Sequence, residues 1–75
     1  MTLAELKPGD TFCVRGVDVG GEIGKRLVEM GFCPGTIGKV IRAAPLGDPI
    51  QVSILRYNIS LRKDEANGIA VERIR

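Results

Sequence analysis

Two cysteines are the residues of this chain best suited to metal or redox chemistry. Cys13 and Cys33 lie far apart in a sequence without histidine, and they lack the C-x-x-C spacing of a metal knuckle. Divalent transition metals in proteins favour imidazole, carboxylate or thiolate ligands. We expect two reduced, partly buried thiols; a transient disulfide or a weak two-thiolate site is the alternative if they meet in the fold. No cofactor is therefore expected, and Cys13 and Cys33 are only weak metal candidates.

The acidic residues offer little support for catalysis. Nucleophilic catalysis needs a nucleophile beside a base, and no histidine is present to activate either thiol. Asp48 lies between a glycine and a proline, where it is expected to form a turn. Asp64 and Glu65 begin a predicted helical turn, where carboxylates cap backbone N–H groups. The glycines of segment 20–25 lack the spacing of a phosphate-binding loop. We predict that this chain is not an enzyme.

Composition is typical of one small globular domain, predicted to span residues 1–75. The chain is 44% apolar and 27% charged, with a net charge of +2. That charge forms no dense basic stripe, so nucleic acid is not an expected partner. No apolar run is long enough to span a bilayer, and the first residues lack signal-peptide features. A cytoplasmic location, where thiols stay reduced, is the expectation.

The elements that position these residues are short and separated by glycine and proline. Thr2 and Glu5 form a capping-box pattern that predicts an N-terminal helical turn. Alternating apolar residues predict five strands, at 11–17, 36–44, 50–54, 59–61 and 69–71. A hairpin turn is predicted at 56–58, with Asn58 supplying a positive φ. The predicted fold is mainly β: a small five-stranded barrel with one short helical insertion.

The helical insertion is predicted over 22–30. Ile23, Leu27 and Met30 recur at i, i+4 and i+7, and we expect them to face the core. Gly31 lies where a left-handed residue commonly ends a helix. Gly24 costs about 1 kcal/mol in a helix interior, which close packing against a strand would explain.

One ordered set of motifs resembles a known family. Its members are Arg26-Leu27, Met30-Gly31, Pro34-Gly35, Pro45-Leu46-Gly47-Asp48-Pro49, Ile59-Ser60-Leu61-Arg62 and Glu65-Ala66. In this order and spacing they are similar to the FeoA family, over essentially the whole chain. The resemblance implies an SH3-like barrel and a role in ferrous iron uptake through contact with the transporter FeoB. The chain departs from the family at Arg56, where a glycine usually precedes the hairpin tyrosine.

Two other functions stay open. The domain also resembles the C-terminal module of metal-dependent repressors, which implies a stand-alone regulatory role. A small nucleic-acid-binding barrel is the second alternative, although the charge pattern disfavours it. The leading hypothesis is a non-enzymatic accessory module that binds the soluble part of FeoB. Iron would then be bound by that partner, and the chain would lie at the inner membrane face through it.

Partner-binding residues are expected on the helical insertion and on one stiff turn. Glycines in the insertion allow close approach of another backbone, and basic side chains project from its polar face. Leu46 is an apolar tip within a rigid Pro-Gly-Asp-Pro frame, suited to a partner pocket. Capping one end of the barrel is the alternative role for Leu46, and self-association of the chain is possible. The predicted contact residues are Gly20, Gly21, Gly24, Lys25, Arg26, Leu46 and Asp48.

Overall fold

Five antiparallel strands form one sheet, with a helix inserted after the first strand. The structure is a computed structural model that describes residues 1–74. A 3₁₀ turn, Leu3–Glu5, precedes the remaining elements: β1 (Thr11–Val17), α1 (Gly21–Glu29), β2 (Ile37–Ala43), β3 (Ile50–Ile54), β4 (Tyr57–Leu61), α2 (Lys63–Asn67) and β5 (Ile69–Ile74). The strand order is β4-β3-β2-β1-β5. The predicted mainly-β fold with an N-terminal turn and a helical insertion is confirmed.

The core lies on one face of the sheet and is closed by the helices. Alternation places Phe12 and Val14 of β1 inside, and β3 buries every second residue from Ile50 to Ile54. Register shifts in the β1–β5 and β2–β3 pairings mark bulges, which bend strands and curl the sheet around these side chains. Neither helix within residues 1–74 has the length and hydropathy to cross a membrane.

Helix α1 contacts the core through a narrower stripe than its apolar pattern predicts. Leu27 is fully buried and Met30, at the C-cap, packs partly against the core. The prediction that Ile23 faces the core is wrong, because its side chain is 45% exposed. Gly24 is buried instead, against the carbonyl of Val19. The close approach at Gly24 fixes the rotation of the helix and turns the preceding residue, Ile23, toward solvent.

Gly24 tests whether helix propensity or packing decides stability at this position. Propensity alone predicts that Gly24→Ala stabilises the helix by about 1 kcal/mol. A Cβ at this position would overlap the Val19 carbonyl oxygen, which is backbone and cannot rotate away. Overpacking costs about 1–3 kcal/mol, so after the propensity gain is subtracted we expect a net loss of up to about 2 kcal/mol in chemical denaturation. Gly20→Ala is a control, since a Cβ there meets nothing within 4 Å. A more stable Gly24→Ala protein would contradict the packing.

The hairpin between β3 and β4 turns earlier than predicted. Ile54 pairs with Tyr57, which leaves Leu55 and Arg56 as a two-residue turn. Leu55 has φ of 57°, whereas Asn58 lies in β4 opposite Ser53. The prediction of a turn at 56–58 with Asn58 at positive φ is therefore wrong. Pairing along the strands sets the register, and it imposes a left-handed conformation on a leucine despite a cost of about 1–2 kcal/mol.

Candidate functional site

The loop between β2 and β3, residues 44–49, presents the most exposed of the large apolar side chains within residues 1–74. Leu46 at its tip is 92% exposed. Two backbone hydrogen bonds close the loop: the Ala44 N–H donates to the Pro49 carbonyl at 2.9 Å, and the Gly47 N–H donates to the Ala44 carbonyl at 2.7 Å. We call residues 44–49 the Leu46 loop. Leu46 does not cap the barrel, so its apolar surface is available to a partner.

Asp48 attaches the Leu46 loop to the rest of the domain. Its Oδ1 atom accepts a hydrogen bond of 3.0 Å from the backbone N–H of Lys63, the first residue of α2. A carboxylate in this position satisfies a free N–H group and favours the helix dipole. The turn residue predicted from sequence therefore also holds the loop against α2.

A groove of about 460 Å³ lies beside the Leu46 loop, between α1, the end of β4 and α2. We call it the α2 groove; it is lined by Arg26, Asp48, Pro49, Ser60, Leu61, Arg62 and Glu65. A second groove of about 330 Å³ also contains Pro49 and Ser60 but otherwise extends along β2 and β3. The exposed leucine therefore lies on a loop that borders two grooves. Such a surface can bind an extended segment or a protruding side chain of a protein partner.

Arg26 and Glu65 form the main ion pair of the α2 groove. Glu65 Oε2 binds the Arg26 guanidinium, and Glu65 Oε1 accepts a hydrogen bond of 2.9 Å from the Arg62 N–H at the start of α2. The Glu65 side chain is only 12% exposed, whereas that of Arg26 is 61% exposed. Arg26 therefore projects from the exposed face of α1, as predicted, and also connects α1 to α2.

Because of this pair, changing Arg26 should alter stability as well as any binding. A double-mutant cycle with Arg26→Ala and Glu65→Gln is expected to give a coupling energy of about 0.5–1 kcal/mol in urea denaturation. The coupling should fall in high salt because one partner is largely in water. Arg15 and Glu72, both well exposed at 3.5 Å, provide a comparison pair that should couple more weakly. Equal and negligible coupling in both pairs would contradict a connecting role for Arg26.

The other predicted contact residues are dispersed. Gly20, Gly21 and Lys25 are exposed around the N-terminal half of α1 and do not line the α2 groove. Gly24 is buried on the inner side of α1 against the Val19 backbone, which gives it a packing role; its contact with a partner stays a prediction. Of the predicted contact residues, Arg26 and Asp48 both line the α2 groove, and Leu46 lies next to it on its loop.

Several groove residues were not predicted as part of a site. Ser60, Arg62 and Glu65 belong to the ordered motifs that carry the family resemblance, but no site role was predicted for them. Glu65 accepts a hydrogen bond from the Arg62 N–H as in a capping box, but arginine is not a usual N-cap residue, so the sequence contains only half of that signal. No local signal connects Glu65 to Arg26, which lies on a different helix.

The two thiols are free and half-buried. Cys33 Sγ lies 3.6 Å from the Val28 carbonyl, and Cys13 Sγ lies 3.8 Å from the carbonyl of its neighbour Val14. Within residues 1–74, no three His, Cys, Asp or Glu residues are grouped so that they could hold a metal ion. The absence of a metal role for Cys13 and Cys33 stays a prediction.

The sequence and the fold match a class of small proteins associated with ferrous iron transport. The FeoA domain model matches residues 1–73, and this chain belongs to the FeoA family. The resemblance seen in the sequence motifs is thereby confirmed. A similar crystal structure, FeoA of Stenotrophomonas maltophilia with zinc, is described as a prokaryotic SH3 domain protein; it is 32% identical with a TM-score of 0.85, over 96% of this chain and 89% of that one. The family is one of transport-related domains and is not known as an enzyme family.

Other relatives are longer than this chain. A Porphyromonas gingivalis protein in which Fe(2+) transport protein A is fused to the transporter FeoB is 43% identical over 74 residues, which is 99% of this chain and 9% of that protein. Iron(II) transport protein A of Clostridium thermocellum has a TM-score of 0.92 at 44% identity, over 99% of this chain and 46% of that one. FeoA of Chlorobium tepidum has a TM-score of 0.91 at 40% identity, over 100% and 71%. The present chain therefore spans only a small part of the fusion protein.

Proposed function

We propose that this chain is a non-enzymatic accessory module that binds the soluble part of a FeoB-type transporter and supports ferrous iron uptake. The observation that carries the proposal is the fusion relative, in which a FeoA domain 43% identical to this chain is joined to FeoB. Covalent fusion keeps the two parts at high effective concentration, which favours a functional contact between them. A separate chain would have to make that contact by docking.

The Leu46 loop is the proposed anchor of this contact. Leu46 is almost fully exposed, while the hydrogen bonds of Ala44, Gly47 and Asp48 hold its loop in one conformation. Because the loop backbone is already held in place, covering this apolar side chain with a partner pocket costs little backbone entropy. The neighbouring α2 groove adds charged groups that can orient the partner. This combination is typical of a small interface with one dominant apolar residue.

Co-purification tests the proposal. The tagged chain, used to capture proteins from detergent extracts of membranes, is expected to recover a FeoB-type transporter from the same genome. An unrelated membrane protein should stay in the flow-through. Failure to recover the transporter above the level of untagged beads would contradict the proposal, and specific recovery of a soluble metal-dependent repressor would support the regulatory alternative.

We further propose that ferrous iron is bound by the transporter and not by this chain. The donor set offers two separated thiols and no histidine, which is a poor match to the ligand sets that hold iron. Anaerobic equilibrium dialysis with ferrous iron should therefore show no stoichiometric binding. If one equivalent of iron binds and the Cys13→Ser or Cys33→Ser variant abolishes it, this part of the proposal is wrong.

A further inference from the structure

Strand β4 has a free backbone edge. Within residues 1–74 it lies at the end of the sheet and pairs with β3 alone. Ile54 and Tyr57 close a two-residue hairpin, so they form a hydrogen-bonded pair, and such pairs alternate along an antiparallel ladder. Asn58 and Ser60 therefore direct their backbone N–H and C=O groups away from the sheet. No loop or helix cap within residues 1–74 bonds to these groups.

The opposite edge of the sheet is protected, which makes the β4 edge unusual in this domain. On β5, the Val71 N–H donates to the Met1 carbonyl at 3.0 Å, and Thr2 forms a bridge with Ala70. Charged residues follow along the same strand. By contrast β4, with sequence YNISL, has no charge, no proline and no bulge. Unprotected edges of this kind pair with another strand, and most proteins block them unless the pairing is used.

Arginines lie at both ends of β4. Arg56 immediately precedes the strand and Arg62 immediately follows it, and both are exposed. The two ion pairs within residues 1–74 involve neither side chain. The five residues of β4 lie between them, so six steps along the extended chain separate the two arginines by roughly 20 Å. An added strand with an acidic residue near each end would match this charge pattern.

The same arginines argue against pairing between two copies of the chain. One antiparallel register pairs all five residues of β4 with a second β4, centred on Ile59. That register places Arg56 of one copy opposite Arg62 of the other, at both ends of the pair. Like charges directly opposite one another destabilise a strand pair. The edge therefore suits a partner of opposite charge better than a second copy.

We propose that an extended segment of the transporter, flanked by acidic residues, adds to the sheet as a sixth strand along β4. This inference rests on the proposed function and specifies how the docking occurs. The added strand would bond to Asn58 and Ser60 and meet the α2 groove, which Ser60 and Arg62 line. Tyr57, which is 65% exposed at the hairpin end, would cover an apolar side chain of that strand. The backbone supplies affinity and the two arginines supply orientation.

Hydrogen exchange of the wild-type chain tests the inference without a variant. In the free chain, the amides of Asn58 and Ser60 should exchange quickly, whereas that of Ile59 should be protected by β3. Binding of the purified transporter in nanodiscs should slow exchange at 58 and 60 by at least about 10-fold. If the transporter binds and these two amides still exchange quickly, the proposed strand addition is wrong, while the proposed function stands. If the transporter does not bind at all, both fail.

A matched pair of variants at Ser60 provides a second test of the strand addition. Ser60→Pro removes the outward N–H, and edge strands tolerate proline where the N–H faces away from the sheet. It should weaken binding to the transporter by at least about 10-fold, whereas Ser60→Ala should change it by less than about 3-fold. Equal affinities for two folded variants would overturn the inference. If Ser60→Pro fails to fold, the exchange result alone decides.

Charge reversal and oligomeric state complete the test. Arg56→Glu with Arg62→Glu should reduce affinity by about 10-fold at low salt and by less at high salt. Arg73→Glu, at the exposed end of β5 on the opposite edge of the sheet, is the control and should have little effect. Concentration-dependent protection of amides 58 and 60 in the chain alone would show that a second copy occupies the edge, and would overturn the inference.

Discussion

Replacing Leu27 with alanine is expected to lower the free energy of unfolding by about 2–4 kcal/mol. Leu27 is fully buried and is the main core residue of α1, whose other apolar side chains are partly or largely exposed. The substitution removes buried apolar surface and leaves a cavity that the sheet cannot close, since β1 and β3 are fixed by their ladders. A domain of this length has little stability to spare.

Thermal and urea denaturation would measure this loss. For a domain of 60–100 residues, 2–4 kcal/mol corresponds to a drop in Tm of roughly 8–30 °C. Val28→Ala is the matched control, because Val28 follows Leu27 on the same helix but is 45% exposed. That variant should change stability by less than about 0.5 kcal/mol. Similar losses in both proteins would show that α1 is not packed as described.

Replacing Leu46 with serine is expected to weaken binding to the transporter by roughly 30-fold while leaving the fold unchanged. Loss of a central apolar anchor costs about 2 kcal/mol or more, which corresponds to that factor. Because Leu46 is 92% exposed in the free chain, its removal opens no cavity. The free energy of unfolding should stay within about 0.5 kcal/mol of wild type.

Surface binding to immobilised transporter would measure the affinity, together with a melt of each variant. Ile37→Ser is the control, since Ile37 is also exposed, at 52%, but lies at the other end of β2 from the Leu46 loop. Its affinity should match wild type. Equal weakening by both substitutions would point to general surface hydrophobicity, and no weakening by Leu46→Ser would remove the loop from the interface.

The strands could be predicted because their signals are local. Alternation in residues 11–17 and 50–54 identified β1 and β3 with correct faces, and glycine and proline marked most of the turns. The hairpin turn was misplaced because asparagine is locally the better residue for positive φ, whereas the register between β3 and β4 assigns that conformation to Leu55. Pairing over the whole strand outweighs the preference of one residue.

The helix and the candidate site were predicted only in part. Apolar spacing placed Ile23 in the core, but contact of Gly24 with the Val19 backbone sets the helix orientation. The Leu46 loop could be recognised from its Pro-Gly-Asp-Pro frame alone. The α2 groove could not, because it depends on the distant pair of Arg26 and Glu65 and on where β4 ends. Local patterns thus identify the anchor but not the surface around it.

Uptake of radiolabelled ferrous iron by cells under reducing conditions would show whether the chain supports the transporter through the Leu46 loop. Cells that lack this chain but retain the transporter would be complemented with wild type, Leu46→Ser or Ile37→Ser at equal protein levels. We expect wild type and Ile37→Ser to restore iron uptake and Leu46→Ser to leave it unrestored. Full uptake without the chain, or equal rescue by Leu46→Ser, would contradict a transporter-docking role carried by the Leu46 loop.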